Sequence, residues 1–464
     1  MAISKHPWLQ YANDLHVELD QVDDEGKDAA GLEAEIKEIQ ALDRNDPARE
    51  ERAALLLDRT QTLPIKEGYG YVEPSDWDGI RAARPANRFP PSSFAEERLF
   101  DKIYGAWLGR SAGCLLGQPV EGWKRERLTR FLKDTNNYPL HAYMSSDVPQ
   151  HILDKYQIKN RGQVYGSSYI NWINNVKHMI EDDDMNYTII GLAILEKYGF
   201  DFSPNDVAES WLMNLPLLHV CTAERVAYKN LVNLIEPPLS ASHRNVYREW
   251  IGAQIRADLF GYANPGNTEK AAEMAWRDAS ISHIKNGIYG EMWVAAMLAA
   301  AAVQDDVEQV ILAGLAEIPE KSRLARDVQR VIEWKKEGIS WEEASNRIHE
   351  QYDENKPHHW CHTISNAMIV ALGLLFGDRD FEKSISIAVT CAFDTDCNGA
   401  TVGSILGMMH GAKALPEKWI APLNDLIKSG VDGFGLVNIS ELAERTVKLV
   451  RSNPYVKIRG KSGC

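Results

Sequence analysis

Apolar residues recur with the period of an α-helix along most of this chain. After Asp184 the run M-N-Y-T-I-I-G-L-A-I-L-E-K-Y-G places Ile189, Leu192 and Leu195 at helical spacing, the pattern of a helix with acids in its first turn. Two further helical segments carry a stripe of glycine. Gly105, Gly109, Gly113 and Gly117 recur every four residues, and Gly399, Gly403, Gly407 and Gly411 repeat the pattern far downstream. A spacing of four keeps each tetrad along one helix face. Glycine inside a helix costs about 0.8–1 kcal/mol relative to alanine, so two such stripes predict a compensating close approach of backbones. In a bilayer the pattern would suggest helix dimerisation, but Arg110, His410 and Lys413 flank it here. The longest strongly apolar stretch, W-V-A-A-M-L-A-A-A-A-V from Trp293, is too short to span a membrane. Both tetrads are expected as buried, tightly packed helices whose end loops converge on one site.

No strand-rich block and no tandem repeat interrupts this pattern, which predicts a mostly helical body. Residues 1–95 differ in character. The segments G-L-E-A-E-I-K-E-I-Q-A-L and A-R-E-E-R-A-A-L-L-L predict two helices, with Asp46-Pro47 at the turn between them. We therefore divide the chain into an N-terminal helical hairpin with a connecting loop (1–95) and a main body (96–464). The stretch from Pro64 to Ser93 reads as the ordered loop that enters the body. Residues 236–247 read as a second loop, placed to shape substrate entry.

Candidate chemistry begins with two acidic runs, Glu181-Asp182-Asp183-Asp184 and Asp394-Thr395-Asp396. Adjacent carboxylates repel, and a helix N-terminus stabilises each by only about 0.3–1 kcal/mol. A hard cation stabilises them far better, because carboxylate oxygens are its natural ligands. Alone, the first run is more often a helix cap than a metal site. The second, D-T-D-C-N-G, opens like an EF-hand loop, but the twelfth position, which must be a bidentate glutamate, is Ile405. Neither run holds a complete ligand set; together they can fill the shell of one or two ions.

Five segments, in order, resemble the ADP-ribosylglycohydrolase family over roughly residues 98–450. Gly113 to Glu121, G-C-L-L-G-Q-P-V-E, is similar to the family's G-D-A-L-G-x-P-x-E. Glu181 to Asp184 matches its [ST]-D-D-T, and F-D-T-D-C-N-G from Phe393 matches G-D-T-D-T. The segments S-H-I-K-N-G-I-Y-G-E-M-W-V-A-A-M-L-A-A-A and I-S-N-A-M-I-V-A-L-G-L-L-F-G-D-R-D-F-E-K-S-I resemble the family's histidine-containing stretch and the helix before its last acidic motif. The resemblance implies an all-α fold, a binuclear Mg²⁺ or Mn²⁺ site, and hydrolysis at the anomeric carbon of an ADP-ribose-like group. Carried over by position, Asp182, Asp183, Asp394 and Asp396 match metal ligands, and Glu121 matches the glutamate beside the scissile bond. Glu181 and Cys397 occupy the places of metal-binding Ser/Thr and Thr. Asp184 stands next to the site in place of a Thr. His283 and Tyr289 are candidates to contact the sugar, and Asn366 matches a position near the metal-bearing loop.

The departures matter chemically. Cys397 puts soft sulfur where the family has hard oxygen, which suits Mg²⁺ badly and Zn²⁺ better, so Ca²⁺ and Zn²⁺ stay open beside Mg²⁺ and Mn²⁺. Cys114 replaces an Asp, and Phe393 stands where the family usually has Gly. These changes mark a divergent branch, and they leave two alternatives: a hydrolase of a small glycoside other than ADP-ribose, or a non-catalytic ADP-ribose- or metal-binding relative. In the implied mechanism the ions orient a furanose ring, water attacks its anomeric carbon, and Glu121 transfers a proton or stabilises the cation.

Composition narrows the partners. The chain has 464 residues, 44% hydrophobic and 25% charged, ordinary values for a globular enzyme. A net charge of −15 argues against nucleic acid and anionic membranes, leaving a small molecule or an ADP-ribosylated substrate; the oligomeric state is not legible. The six cysteines form no C-x-x-C pair and the N-terminus has no apolar signal core, predicting reduced thiols and a cytoplasmic protein. The cluster His358, His359, Trp360, Cys361, His362 lacks structural-zinc spacing and is expected as a solvated loop.

Overall fold

A computed structural model describes residues 10–158, 162–164, 167–169 and 171–460. Among the described residues it is all-α, with 23 α-helices and only three short two-stranded ladders. No described helix is long and apolar enough to cross a membrane.

At the N-terminal end lie helices α1 (Leu15–Asp24), α2 (Leu32–Ala41) and α3 (Pro47–Gln61). Asp46 caps α3 by accepting the Ala48 N–H, with Pro47 at its first position. Helix α1 is an addition to the expected pair. Its inward face mixes apolar and polar groups: Leu15, Val17 and Val22 join the core, while Glu18 and Glu25 are buried against Arg248 at 2.6 and 2.7 Å, and Gln21 donates to Glu249 at 2.7 Å. The buried polar residues interrupt the apolar period that would announce the helix. The connecting loop contains a short helix, Trp77–Ala83, and its Glu73 is held by Arg323, which also binds Glu249 at 2.7 Å. Removing one partner from such buried pairs costs about 3–5 kcal/mol, since the other charge is left uncompensated.

The body is built around α4 (Leu99–Gly117), α5 (Asp183–Tyr198), α6 (Lys285–Ala301), α7 (Thr363–Phe376) and α8 (Thr395–His410), all largely buried. Helices α4 and α8 run antiparallel along their glycine stripes. Gly105 faces Gly407, Gly109 faces Gly403, Gly113 faces Gly399, and Gly117 faces the Thr395 carbonyl. A β-carbon at Gly109, Gly113 or Gly117 would fall well inside 3.0 Å of the opposing backbone. Glycine is required at this seam because backbone meets backbone there.

The histidine cluster departs from its expected solvated loop. Pro357–Cys361 is a short helix, and His358 and His362 are buried against Asp24 of α1, their Nε2 atoms 2.9 and 3.7 Å from its carboxylate. His358 Nδ1 accepts from Trp250 Nε1–H, and His362 Nδ1 accepts from the Ile364 N–H, each at 3.1 Å. In the neutral rings the proton therefore sits on Nε2 in both; His358 donates it to Asp24 at 2.9 Å, His362 Nε2 stands beyond hydrogen-bond reach, and neither has an Nε2 lone pair left for a metal. Burial, and next the neighbouring His358, push His362 down to about 3. Burial works to raise Asp24, but the hydrogen bond from His358 and the charges of His362, His358 and Arg323 outweigh it and hold the carboxyl well below its usual range. A histidine depressed on folding binds its proton more readily when unfolded. Its contribution is complete above its ordinary value of 6.5 and is lost as pH falls toward about 3; a depressed carboxylate is lost in the same direction. Amide exchange in α1, corrected for intrinsic rates, is expected to accelerate between pH 7 and pH 5 relative to α8.

Candidate metal centre

The antiparallel seam brings the C-terminal end of α4 to the N-terminal end of α8. Thr395 Oγ1 donates to the Gly117 carbonyl at 2.8 Å. After Gly117 a 3₁₀ turn, Gln118–Val120, leads to Glu121. The start of α5 meets the same point: Asp182 is its N-cap, accepting the Asp184 N–H at 3.0 Å, and also accepts Gln118 Nε2 at 2.7 Å. Three chain segments remote in sequence thus converge with their acids.

Ligand-capable atoms within 4.8 Å of one another form three overlapping triads: Cys114, Asp182 and Asp184; Asp184, Asp396 and Cys397; Glu121, Asp394 and Asp396. Asp184 joins the first two and Asp396 the last two. Asp184 Oδ2, Asp394 Oδ1 and Asp396 Oδ1 are buried and make no hydrogen bond among the described residues. Buried carboxylate oxygens left in this way are costly, and a divalent cation is the group that carboxylate donors satisfy best. The acidic clusters therefore fit a divalent metal.

Electrostatics agree. Burial, then the charges of Asp184 and Asp183, push Asp182 well above the usual carboxylate range. Burial, then Glu121 and Asp394, do the same to Asp396. Asp184 rises to about 8 and Asp394 to about 6, burial being the main cause of each. Glu121 is exposed as a residue, but its carboxyl turns into the acidic cluster. Loss of solvent around that carboxyl, followed by the charges of Asp394, Asp182 and Asp183, drives it well upward.

The surrounding residues aim these acids. Arg110, buried in the middle of α4, binds Asp184 Oδ1 at 3.0 Å and Asp258 Oδ2 at 2.8 Å. Asp258 in turn accepts from Ser404 Oγ of α8. Just before Asp394, Ala392 and Phe393 have φ of 62° and 57°, a left-handed conformation that costs a residue with a β-carbon about 1–3 kcal/mol. The family's glycine at the position of Phe393 would relieve one of these; here the buried Phe393 ring packs on His349 at 4.6 Å.

The remaining candidates are placed differently. Glu181 does not join the triads. Its Oε1 accepts from His219 at 2.5 Å and from Asn186 at 3.3 Å, in space left by Gly430. One oxygen of Glu181 is thus engaged by hydrogen bonds within the protein. Asp183 is partly exposed and close enough to act by charge on Glu121, Asp394 and Glu224. Asp184, a substrate candidate, instead belongs to two of the triads. Asn366 is fully engaged: its Oδ1 accepts the Asp394 N–H and Asn398 Nδ2, and its Nδ2 donates to the Trp360 and His362 carbonyls. It secures the metal-bearing loop and has no group left for a sugar. The Tyr289 hydroxyl donates to the Pro74 carbonyl of the connecting loop, which removes it from the sugar-contact set. His283 is buried, with Nδ1 at 2.8 Å from Ser282 and Nε2 3.9 Å from Glu224. Cys114, Gln118 and Arg110 were not foreseen as site residues. Two of these had a signal: Cys114 stands where the resemblance places an Asp, and Arg110 is a charge in the middle of a glycine-striped helix.

An uncharacterized protein of Archaeoglobus fulgidus is 22% identical to this chain over 332 residues, 70% of this chain and 92% of its own length. A solved chain from an ADP-ribosylglycohydrolase-related protein complex is 19% identical, covers 76% of this chain and 99% of itself, and superposes with a TM-score of 0.48. The family model described as ADP-ribosylglycohydrolase matches residues 95–454, which span the glycine seam and every acid of the centre. The chain therefore belongs to the ADP-ribosylglycohydrolase family.

Proposed function

We propose that this protein hydrolyses a glycosidic bond at the anomeric carbon of ADP-ribose or a related furanoside, and does so with divalent cations, Mg²⁺ or Mn²⁺ first among them. The observation that carries the reading is the convergence of Glu121, Asp182, Asp184, Asp394 and Asp396 with three orphaned carboxylate oxygens at one seam. A bound cation pair would supply Lewis acidity and a template for neighbouring sugar hydroxyls. Asp182, Asp184, Asp394 and Asp396 would hold it, with Asp183 adding charge from the rim. Glu121, the exposed member, faces incoming substrate. Its raised proton affinity, from loss of solvent and the neighbouring aspartates, fits it to hold a proton and to give it to the departing oxygen as oxocarbenium character develops.

One observation favours a smaller furanoside over an ADP-ribosylated protein. Two of the candidate substrate-binding side chains, Tyr289 and Asn366, are bonded to the protein itself.

The test is a substrate screen of chelator-treated protein reloaded with single divalent ions, using ADP-ribosyl-arginine, ADP-ribosyl-serine and simple furanosides. Release of free sugar only in the reloaded samples is expected, and Asp396→Asn should lower the bound-metal stoichiometry. Binding of ADP-ribose without turnover of any glycoside would instead establish the non-catalytic relative.

A further inference from the structure

We propose that the centre is chemically unlike at its two ends: at the inner end each of two ligand sets carries one thiol, Cys114 with Asp182 and Asp184 and Cys397 with Asp184 and Asp396, which selects a thiophilic ion such as Zn²⁺ or Co²⁺, whereas the outer set, Asp394 and Asp396 beside Glu121, contains no thiol. This rests on reading the acids as a cation site, and adds to it which ion the inner end prefers.

The triads carry the inference. The two that share Asp184 each contain one sulfur within 4.8 Å of two carboxylate oxygens, whereas the third contains none. Arg110 holds Asp184 Oδ1, which leaves Oδ2 as the buried oxygen without a hydrogen bond. Cys114 lies in the last turn of α4 and Cys397 in the first turn of α8, so the glycine seam itself brings both sulfurs to the shared aspartate. Buried free cysteines are usually small apolar fillers. A filler packs on apolar neighbours; these two face carboxylates, to which a thiol is only a weak donor, as Cys361 Sγ is to Asp394 Oδ2 at 3.8 Å outside the triads, and a cation would bind sulfur and carboxylate together. Sulfur favours Zn²⁺ and its relatives over Mg²⁺, and carboxylate oxygen alone does not discriminate this way. As the ion takes its place, each thiol gives its proton to solvent and the sulfur lone pair forms the new bond. Cys391, buried elsewhere beside Ser345 and Arg125, is the internal control.

The full-length protein, stripped with chelator and titrated with Co²⁺, should develop a thiolate-to-cobalt charge-transfer band in the near ultraviolet. The band should weaken in C114S and in C397S, vanish in the double variant and persist in C391S. On the wild-type chain alone, Zn²⁺ should protect Cys114 and Cys397 from alkylation and Mg²⁺ should not, a readout independent of whether the variants fold. Cobalt bound at full stoichiometry without a band, a band that survives the double variant, or equal protection by Zn²⁺ and Mg²⁺ would overturn the thiol position while leaving the metal-dependent hydrolase intact. Failure of the stripped protein to bind any divalent ion would overturn both.

Discussion

Glu121→Gln is expected to lower turnover by about 10²–10⁴-fold, the usual contribution of a positioned proton-transfer group, without changing the melting temperature or the bound metal appreciably. Glutamine keeps the shape of the side chain and one oxygen facing Asp394 and Asp396 but cannot ionise. The direction of the loss with pH also follows. With its folded-state proton affinity raised by loss of solvent and by three neighbouring aspartates, Glu121 stays protonated across a range in which an ordinary glutamate is ionised. If it acts as an acid, activity falls as pH rises through that raised value, and the falling limb disappears in the glutamine variant. A bound cation offsets part of the negative field, so the limb should move to lower pH as metal occupancy increases. Parallel pH–rate profiles at limiting and saturating metal measure both effects. Wild-type turnover in the glutamine variant would remove Glu121 from the chemistry.

What the sequence carries of this site is its chemistry, and what it lacks is the aim of each side chain. The helical period of α5 and the glycine stripes of α4 and α8 are local properties, readable without tertiary information, and they imply an all-α body with a tight central seam. The charge of the two acidic runs is equally local. The direction of Glu181 is not, because His219, Asn186 and the missing side chain of Gly430 together draw it away from its three neighbours. Tyr289 and Asn366 have the right types for sugar contacts, yet the connecting loop and the Asp394 loop take up their polar groups. Helix α1 is harder to read because polar Glu18, Gln21 and Glu25, buried against Arg248 and Glu249, interrupt its apolar positions Leu15, Leu19 and Val22. For the same reason His358 and His362 look solvated in sequence: their burial depends on Asp24, far away along the chain. In each case a long-range polar partner, rather than apolar burial, decides the placement.

Gly113→Ala should be the most damaging single methyl group in the body, destabilising it by about 3 kcal/mol or more. In an ordinary exposed helix the same change would stabilise by about 0.8–1 kcal/mol, so the sign itself is diagnostic. The added β-carbon would fall on the Gly399 carbonyl and crowd the Ala400 nitrogen. Overpacking typically costs about 1–3 kcal/mol when side chains can give way; here the obstacle is the backbone of α8, and relief requires the two helices to separate. Separation at Gly113 is felt at the centre, because Cys114 is the next residue, and Asp394 and Asp396 begin the helix that must move. Gly113→Ala is therefore expected to lose thermal stability and metal content together, whereas Gly70→Ala, at a position where a β-carbon meets nothing within 4 Å, should change neither. Differential scanning calorimetry with elemental analysis of the same samples measures both quantities. A Gly113→Ala protein that melts like wild type would mean that α4 and α8 do not meet backbone to backbone, and the convergence of Glu121 with the two acidic runs would lose its structural cause.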